Sequence, residues 1–514
     1  MKEMKNINNW INKNFDKLGY LVLALFFVVF HVILYLRMDL IIDSDLSSEM
    51  VYAKLCAHEN ALLTNSWFYS TELKIFSMNI VLTPLFKVLN NWKMVRILGT
   101  VICNLLIVLS FLYLGKKFKL KYLGWLSLLV VGSISEEYYR FITSSMCYSV
   151  FVVSAMFCLG LMVKLFDERQ NKICWFVLAV LVFLTSLNGM RMVVIFSLPV
   201  FVSAILLWLY YRFISRGSSM DNLQFILKMS LFVLIVSTVG YLVNVLILSK
   251  IYVFESYTSI NFGLNFSRLS EVILGWLSVF GMEPAIYITN IKFLMMPLFV
   301  GMVVLIFASI AIVVAGKKYN QAEKFVGLTF LMSCCAVSGV FVISDQYFVP
   351  RYLLPSFALY AIVIAIFLNK ADFKINKLIV LCCILFVSIN SASLSISYGN
   401  SKNNELKEAI EILEEDRVNK VYTSFWEGNV LTELAGGEIE AYVLEKDTHS
   451  INRWLQKQEH FNNPEIAGKV YLVFEEKYKR DLSEGSDEYI VYQGDEIVMY
   501  CFESYSQMLS YFVV

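Results

Sequence analysis

Long apolar stretches alternate with short polar loops along most of this 514-residue chain. A helix needs about 20 apolar residues to cross the roughly 30 Å of hydrocarbon in a lipid bilayer. We predict about eleven spans, several of them short, and therefore a polytopic α-helical membrane protein. The predicted spans are residues 18–36, 95–114, 122–134, 149–165, 173–187, 192–211, 225–248, 293–315, 325–343, 353–368 and 378–389.

The composition agrees with this class. Hydrophobic residues make up 58% of the chain and charged residues only 17%, and the mean hydropathy is +0.63. Soluble globular domains contain a smaller apolar share and a larger charged one. A net charge of +1 gives no indication of nucleic-acid binding, so the expected partner is the lipid bilayer.

The distribution of lysine and arginine predicts the orientation in the membrane. Basic residues are concentrated in the N-terminal segment and in every second short loop, whereas the alternate short loops hold one arginine each. Cytoplasmic loops retain Lys and Arg, so we predict a cytoplasmic N-terminus and a plasma-membrane location. The first span has no small-residue cleavage site and is predicted to be a retained anchor.

Three longer segments fall on the predicted extracytoplasmic side. The first loop, residues 37–94, and a second loop, residues 249–292, are too long for simple turns, and 264–280 has the apolar face of a membrane-surface helix. Together these two loops are expected to form a roof over a cavity. The third segment is the C-terminal tail, because an odd number of spans places it outside as well.

The tail, residues 396–514, has the pattern of a small soluble α/β domain, whereas residues 1–395 form the membrane module. An apolar stripe at Leu406, Ala409, Ile410 and Leu413 predicts an amphipathic helix. Apolar, β-branched runs predict strands, and a Gln-Gly-Asp turn predicts a closing hairpin. The predicted strands are residues 420–425, 439–444, 469–474, 488–492 and 496–502.

Three carboxylates, Asp43, Asp45 and Glu49, follow directly after the first span. A structural interpretation makes Asp45 or Ser44 the cap of a helix that begins near Leu46. A functional interpretation lets one carboxylate accept a proton from an attacking hydroxyl while another orients a cation or adjusts the pKa of the first. Capping does not exclude a second role, so both interpretations stand.

Three arginines, Arg140, Arg191 and Arg351, lie at the predicted outer ends of spans in loops with few other charges. A single arginine at such a position usually extends toward phospholipid headgroups. Recurrence on the face that carries the carboxylates favours a shared anion site, since a guanidinium binds phosphate through fixed paired hydrogen bonds. A lipid phosphate would match both the charge and the depth.

A divalent cation, Mg²⁺ or Mn²⁺, is a candidate cofactor, with Asp45 and Glu137 as its candidate ligands. The alternative is that Glu136 and Glu137 are solvated loop residues. The chain has no glycine-rich phosphate loop with its lysine, so we expect no nucleotide cofactor.

The chain resembles the GT-C superfamily of integral-membrane glycosyltransferases in four features. These are the acidic motif after span one, the Pro-Arg-Tyr-x-x-Pro start of a late span at Pro350 to Pro355, the number of spans and the C-terminal tail. Protein O-mannosyltransferases and lipid A aminoarabinose transferases belong to it. The resemblance covers essentially the whole membrane module and rests on architecture plus short motifs.

The resemblance implies a sugar transfer from a polyprenyl-phosphate donor to a hydroxyl of a glycan, lipid or protein acceptor, with inversion. It implies that Asp43 is the general base and that Asp45 assists it. The substrate-binding residues would then be Arg351, Arg191, Arg140, Tyr352 and Glu49. Many relatives have an Asp-Glu pair where this chain has Asp-Ser-Asp.

Two other classes of function share these features. A transporter or flippase of a lipid-linked sugar would use the arginines as substrate contacts without forming a bond. A polymerase or ligase of surface glycans would use the same lipid donor with another acceptor.

Overall fold

The computed structural model describes residues 2–70, 75–214, 220–254, 261–282, 296–371, 375–446 and 449–512. The chain divides into two compact units. The first, here called the helical unit, comprises Met1–Ile33, Thr100–Leu246 and Thr258–Ser397. The second, the loop and tail unit, comprises Leu34–Gly99, Ile247–Tyr257 and Tyr398–Val514. The first loop and the tail, which we treated as separate parts of the chain, therefore belong to the same unit.

Helices dominate the structure. The α-helices are α1 (Lys2–Ile41), α2 (Ser44–His58), α3 (Asn79–Val88), α4 (Trp92–Lys117), α5 (Leu123–Leu126), α6 (Leu128–Val131), α7 (Glu136–Tyr138), α8 (Ser149–Asp167), α9 (Lys172–Ser186), α10 (Leu198–Phe213), α11 (Met220–Leu246), α12 (Leu269–Val279), α13 (Met296–Ala315), α14 (Gln321–Val342), α15 (Leu354–Phe357), α16 (Tyr360–Lys370), α17 (Asn376–Ser397), α18 (Lys402–Glu415), α19 (Phe425–Leu434), α20 (Gln458–Asn462) and α21 (Tyr505–Ser510).

The described residues also form shorter irregular helices and seven strands. The π-helical turns are Tyr139–Thr143 and Val193–Ser197, and the 3₁₀ turns are Leu248–Lys250, Phe266–Arg268, Pro350–Leu353, Glu476–Asp481 and Glu484–Tyr489. The strands are β1 (Trp67–Phe68), β2 (Lys420–Thr423), β3 (Glu440–Val443), β4 (Gln456–Lys457), β5 (Val470–Glu475), β6 (Ile490–Gln493) and β7 (Ile497–Phe502).

Nine helical segments among the described residues are long and apolar enough to cross a membrane. Nine of the eleven predicted spans fall in them, and the span predicted at 173–187 is the shorter apolar helix α9. The span predicted at 122–134 is broken into α5 and α6, and every side chain from 123 to 134 is buried. Residues 283–295, which include the end of the second loop and the start of one predicted span, lie outside the described residues.

Backbone hydrogen bonds within the loop and tail unit connect segments that several helices separate along the chain. Tyr69 donates to the carbonyl of Val253 over 3.0 Å, and β1 pairs with β4 in antiparallel register. Segments joined in this way lie on the same side of a membrane, so an even number of crossings separates Tyr69 from Val253. Between these two residues lie the long apolar helices α4, α8, α10 and α11, the shorter apolar helix α9 and the broken segment from Leu123 to Val131.

The tail folds into the predicted α/β layer domain. Its five-stranded sheet has the order β3-β2-β5-β7-β6. Strand β2 is parallel to β3 and β5, whereas β7 is antiparallel to both β5 and β6. The closing hairpin was therefore predicted correctly, and the amphipathic stripe is α18. Aromatic and aliphatic side chains of the central strands form the core, among them Tyr422, Leu472, Phe474 and Tyr500.

Candidate functional site

Asp43 caps the N-terminus of α2. Its backbone is extended, and its Oδ1 accepts a hydrogen bond from the amide of Leu46 over 3.0 Å. The helix begins at Ser44, two residues earlier than the sequence suggested, so our assignment of the cap to Asp45 or Ser44 was wrong. A short polar side chain in the β region just before the first helical residue satisfies one of the unpaired amides of the first turn.

The other predicted acidic residues lie on α2 itself. Asp45 occupies the first turn, where the positive end of the helix dipole favours a carboxylate. Glu49 follows one turn later, so the two side chains share a face of the helix. Both are half-buried, while Asp43 is 8% exposed. The N-terminus of α2 therefore presents three carboxylates within two turns.

A buried ion pair is hydrogen-bonded to the first turn of α2. Arg96, in α4, donates through Nη2 to Oε2 of Glu433 over 2.6 Å and through Nε to Oε1 of the same carboxylate. Nη2 of Arg96 also donates to the carbonyl of Leu46 over 3.1 Å. The carbonyl of Leu46 thus accepts a hydrogen bond from Arg96, and the amide of Leu46 donates one to the Asp43 carboxylate. Arg96 was not among the predicted site residues, although a charged residue inside a predicted span is itself a signal of function.

The backbone that leads into Asp43 is fixed by the tail. Asn403, fully buried at the start of α18, donates to the carbonyls of Asp39 and Ile42 over 2.8 and 2.9 Å. The carboxylate of Asp39 pairs with Lys93 at 3.1 Å and with Lys407 at 2.5 Å. Residues from the first loop and from the tail therefore determine where Asp43 lies.

A pocket of about 240 Å³ opens beside this segment within the loop and tail unit. Its wall includes Asp39, Ile42, Asn91, Trp92, Lys93 and Glu433. Its wall combines one aromatic ring with amide, carboxylate and ammonium groups, which suits a small polar molecule.

The three predicted arginines come together in the helical unit around two aromatic rings. The guanidinium carbons of Arg140 and Arg351 lie 4.8 and 5.0 Å from the centroid of the Phe141 ring. Those of Arg191 and Arg351 lie 5.3 and 5.9 Å from the Tyr352 ring. Cation–π contacts of this length help to orient guanidinium groups. We call this group the arginine cluster.

Irregular backbone positions the arginine cluster. Arg140 lies in the π-helical turn Tyr139–Thr143, and Arg191 comes just before the turn Val193–Ser197. Such turns are rare and often occur at functional sites. Arg351 and Tyr352 belong to the 3₁₀ turn Pro350–Leu353, in which proline fixes the first backbone angle.

Aromatic packing supports that 3₁₀ turn. The ring of Tyr352 stacks on Phe341 at 5.8 Å, and Phe341 contacts Phe348 at 5.0 Å. Helix α12 packs on the turn through Gly275, where an added Cβ would overlap the Phe348 ring. The predicted membrane-surface segment therefore also positions the arginine cluster.

Glu137, the second candidate metal ligand, lies half-buried in α7. Ser135 caps the N-terminus of that helix, because its hydroxyl oxygen accepts a hydrogen bond from the Tyr138 amide. Asp45, the other candidate ligand, belongs to the loop and tail unit. Within the described ranges, no group of three or more His, Cys, Asp or Glu side chains is arranged to hold a metal ion. The cation therefore stays a prediction, and no chemical step is assigned to it.

The predicted site residues thus fall into two groups. Asp43, Asp45 and Glu49 belong to the loop and tail unit, and the helical unit holds the arginine cluster, Tyr352 and Glu137.

Two solved structures of ArnT from Cupriavidus metallidurans resemble this chain over nearly its whole length. The structure bound to undecaprenyl phosphate matches with a TM-score of 0.56 and 10% identity, covering 93% of this chain and 97% of that one. The apo structure matches with a TM-score of 0.58 and 9% identity, covering 96% and 98%.

No family model and no curated protein matches the sequence. The structural match carries the assignment alone, and at this identity it establishes the fold. The chain therefore has the fold of ArnT.

Proposed function

We propose that this protein is a membrane glycosyltransferase that moves a sugar from a polyprenyl phosphate to an acceptor hydroxyl on the extracytoplasmic side. The observation that carries the proposal is the arginine cluster, three guanidinium groups gathered on Phe141 and Tyr352 in a chain with the ArnT fold. The ArnT structure bound to undecaprenyl phosphate supports the choice of lipid donor.

The proposed reaction has one displacement step. The carboxylate of Asp43 takes the proton of the acceptor hydroxyl, and the resulting oxygen nucleophile forms a bond to the anomeric carbon. The bond between that carbon and the phosphate oxygen breaks on the opposite face, so the configuration inverts. Polyprenyl phosphate leaves with one more negative charge than it carried in the donor.

The arginine cluster is assigned to the leaving phosphate. Guanidinium groups that are already in place stabilise charge as it develops in the transition state, which is a large contribution to catalysis. Tyr352 contacts Arg191 and Arg351 through its ring. Asp45 is assigned to assist Asp43, and Glu49 is assigned to substrate binding. The acceptor itself can be a glycan, a lipid or a protein hydroxyl.

The experiment measures release of polyprenyl phosphate by the purified full chain in lipid nanodiscs. The assay contains a panel of polyprenyl-phosphate sugars, a membrane extract as the source of acceptor, and Mg²⁺, Mn²⁺ or chelator. Native mass spectrometry of the same samples measures binding of undecaprenyl phosphate separately from turnover. A metal requirement would appear as loss of turnover in chelator.

Paired variants separate the two roles. Asp43→Asn should abolish turnover and retain lipid binding, because asparagine keeps the cap but cannot take a proton. Arg351→Gln and Arg191→Gln should weaken lipid binding. Exposed Asp221→Asn and Arg212→Gln are the matched controls.

Turnover that is equal in the wild type, Asp43→Asn and Arg351→Gln would overturn the proposal. Lipid binding by all forms, with transfer by none, would instead support the transporter or flippase hypothesis. Transfer to a growing glycan would identify a polymerase or ligase.

A further inference from the structure

His31 is a buried histidine inside the first long apolar helix, α1, where polar side chains are costly and often functional. Its Nδ1 lies 2.7 Å from the carbonyl of Phe27, one turn earlier on the same helix. A carbonyl oxygen can only accept, so Nδ1 carries the ring proton and donates it. The other ring nitrogen of the neutral imidazole, Nε2, is then an acceptor.

Asn104, fully buried in α4, supplies the donor for that acceptor. Its Nδ2 lies 3.1 Å from Nε2 of His31 and 2.8 Å from the carbonyl of Thr143. The contact with a carbonyl identifies this atom as the amide nitrogen, and both of its hydrogens are used, one toward each partner. A chain of three hydrogen bonds therefore runs from Phe27 through His31 and Asn104 to Thr143.

Thr143 is the last residue of the π-helical turn that carries Arg140. The last carbonyls of a helix have no partner within the helix, and the carbonyl of Thr143 accepts from Asn104 instead. The hydroxyl of Thr143 donates to the carbonyl of Tyr139 over 3.2 Å and lies 2.8 Å from the hydroxyl of Ser133. Side chains thus fix the end of the turn just after Arg140.

Aromatic contacts bring α1 against the beginning of the same turn. The ring of Phe30 packs edge-on against His31 and against Tyr139, with centroids 5.3 and 6.2 Å apart. The turn is therefore attached to α1 at Tyr139 through a ring, and at Thr143 through Asn104 and His31. Arg140 lies between these two attachments.

The guanidinium of Arg140 joins that of Arg351 over the Phe141 ring. A displacement of the turn would separate the two cations, and an anion site whose groups must be reoriented on binding loses affinity. We propose, on the basis of the function assigned to the arginine cluster above, that His31 and Asn104 are positioning residues. They hold the turn so that Arg140 is in place for the phosphate of the polyprenyl donor.

A helix-packing role alone would use the same hydrogen bonds, and a double-mutant cycle separates the two roles. Native mass spectrometry of the full chain in nanodiscs measures the affinity for undecaprenyl phosphate in Asn104→Leu, Arg140→Gln and the double variant. Asn104→Leu removes both donors, and Asn104→Ala repeats the cycle with a smaller side chain. Ser110→Ala is the matched control, because Ser110 is also buried on α4 but donates to the carbonyl of Ile107 and to Sδ of Met156.

We expect Asn104→Leu to weaken lipid binding about three- to tenfold when Arg140 is present. It should have no further effect beside Arg140→Gln, because it acts through that arginine. His31→Leu should behave in the same way, whereas His31→Gln, which keeps an amide oxygen as acceptor, should retain most of the affinity. Ser110→Ala should bind as the wild type does. Equal weakening with and without Arg140 would assign helix packing alone and overturn the proposal, as would unchanged affinity in Asn104→Leu.

Hydrogen exchange of the backbone amides from 139 to 144 tests the same contacts without lipid. Exchange should be faster in Asn104→Leu and His31→Leu than in the wild type or Ser110→Ala. Thermal unfolding of the same preparations identifies any variant that has lost its fold. Unchanged exchange in both folded variants would overturn the proposal. A wild type that binds no undecaprenyl phosphate would instead count against the proposed function, and the exchange result would still decide whether these two residues hold the turn.

Discussion

Arg96 and Glu433 form a bidentate ion pair in the protein interior, where Arg96 is 1% exposed and Glu433 is 7% exposed. Glu433 lies in the last turn of α19, where the negative end of the helix dipole disfavours a carboxylate. The arginine offsets that cost and, through the carbonyl of Leu46, connects α19 to the first turn of α2. The tail domain thereby contacts the backbone that presents Asp43.

Breaking this pair should destabilise the protein strongly. Arg96→Met or Glu433→Gln leaves its partner buried without a counter-charge, and the expected loss is about 3–5 kcal/mol of unfolding free energy. The measurement is thermal unfolding of the full chain in nanodiscs. Lys469→Met, which breaks an exposed pair with Glu503, should cost under about 1 kcal/mol. A double variant, Arg96→Met with Glu433→Leu, should regain most of the loss, and no recovery would count against this assignment.

Asp43 should show separable contributions to stability and to catalysis. Asp43→Ala removes both the cap and the carboxylate and should cost about 1 kcal/mol of stability, whereas Asp43→Asn should cost a few tenths. Both should reduce turnover by at least about 10²-fold if Asp43 is the base. Unfolding and polyprenyl-phosphate release are measured on the same preparations. Turnover in Asp43→Asn above a tenth of the wild-type rate would exclude it as the base.

The rings of the arginine cluster should matter more than their hydroxyl. Tyr352→Phe keeps the face that contacts Arg191 and Arg351 and should change undecaprenyl phosphate affinity less than threefold, given that cation–π contacts need only the ring. Tyr352→Ala and Phe141→Ala should weaken binding by about tenfold, since the guanidinium groups lose their orientation. A strong effect of Tyr352→Phe would instead assign a hydrogen bond to its hydroxyl.

The contact between α12 and the 3₁₀ turn should be sensitive to a single methyl-sized group. Gly275→Val places atoms against the Phe348 ring, which must move and disturb the turn that carries Arg351 and Tyr352. We expect weaker undecaprenyl phosphate binding in this variant. Gly339→Val, on α14, is the matched control because an added Cβ there meets no atom within 4 Å. Equal binding by the two variants would show that the turn does not depend on α12.

Acid should destabilise the tail sheet through His460 and Glu440. Burial lowers the pKa of His460 although the Glu440 carboxylate, 3.1 Å away, raises it. Burial raises the pKa of Glu440, but His460 and Lys457 outweigh burial and lower it to about 2.

Both pKa shifts reduce the stability of the folded tail as the pH falls. The unfolded chain takes up the histidine proton near pH 6.5 and the glutamate proton near pH 4.3, before the folded chain does. Stability is therefore fully present above about pH 6.5, and it decreases as the pH falls below that value and again below about 4.3. Hydrogen exchange of β5 in the full chain measures this loss. His460→Gln should remove the upper part of the decrease, while exposed His58→Gln should leave it unchanged.

Local patterns in the sequence predicted the tail well. The Gln-Gly-Asp turn between two alternating runs gave the hairpin of β6 and β7, and the apolar stripe gave α18. These features depend on residues that are close in the chain, where periodicity and turn chemistry dominate. The lengths of the apolar stretches likewise predicted the long apolar helices.

Contacts between residues that are far apart in the chain could not be predicted from such local patterns. Arg96 resembled an ordinary residue near the start of a span because its partner, Glu433, is 337 positions away. The cap of α2 was misplaced because Asp43, Ser44 and Asp45 are all good capping residues, and only the backbone angles choose among them. The break at 122–134 had no proline to mark it. The grouping of the three arginines was inferred from their recurrence in charge-poor loops on the face that carries the carboxylates. The aromatic rings that they contact became visible only in the structure.

The pairing of β1 with β4 imposes an order on biosynthesis. Gln458 donates to the carbonyl of Trp67 from 391 positions further along the chain. At roughly 5–20 residues per second, a ribosome needs on the order of 20–80 s to extend the chain that far. During that time strand β1 of the first loop has no partner strand. A truncated or stalled chain would expose Trp67 and Phe68 on the membrane surface, where quality-control proteases and holding chaperones act on unpaired strands.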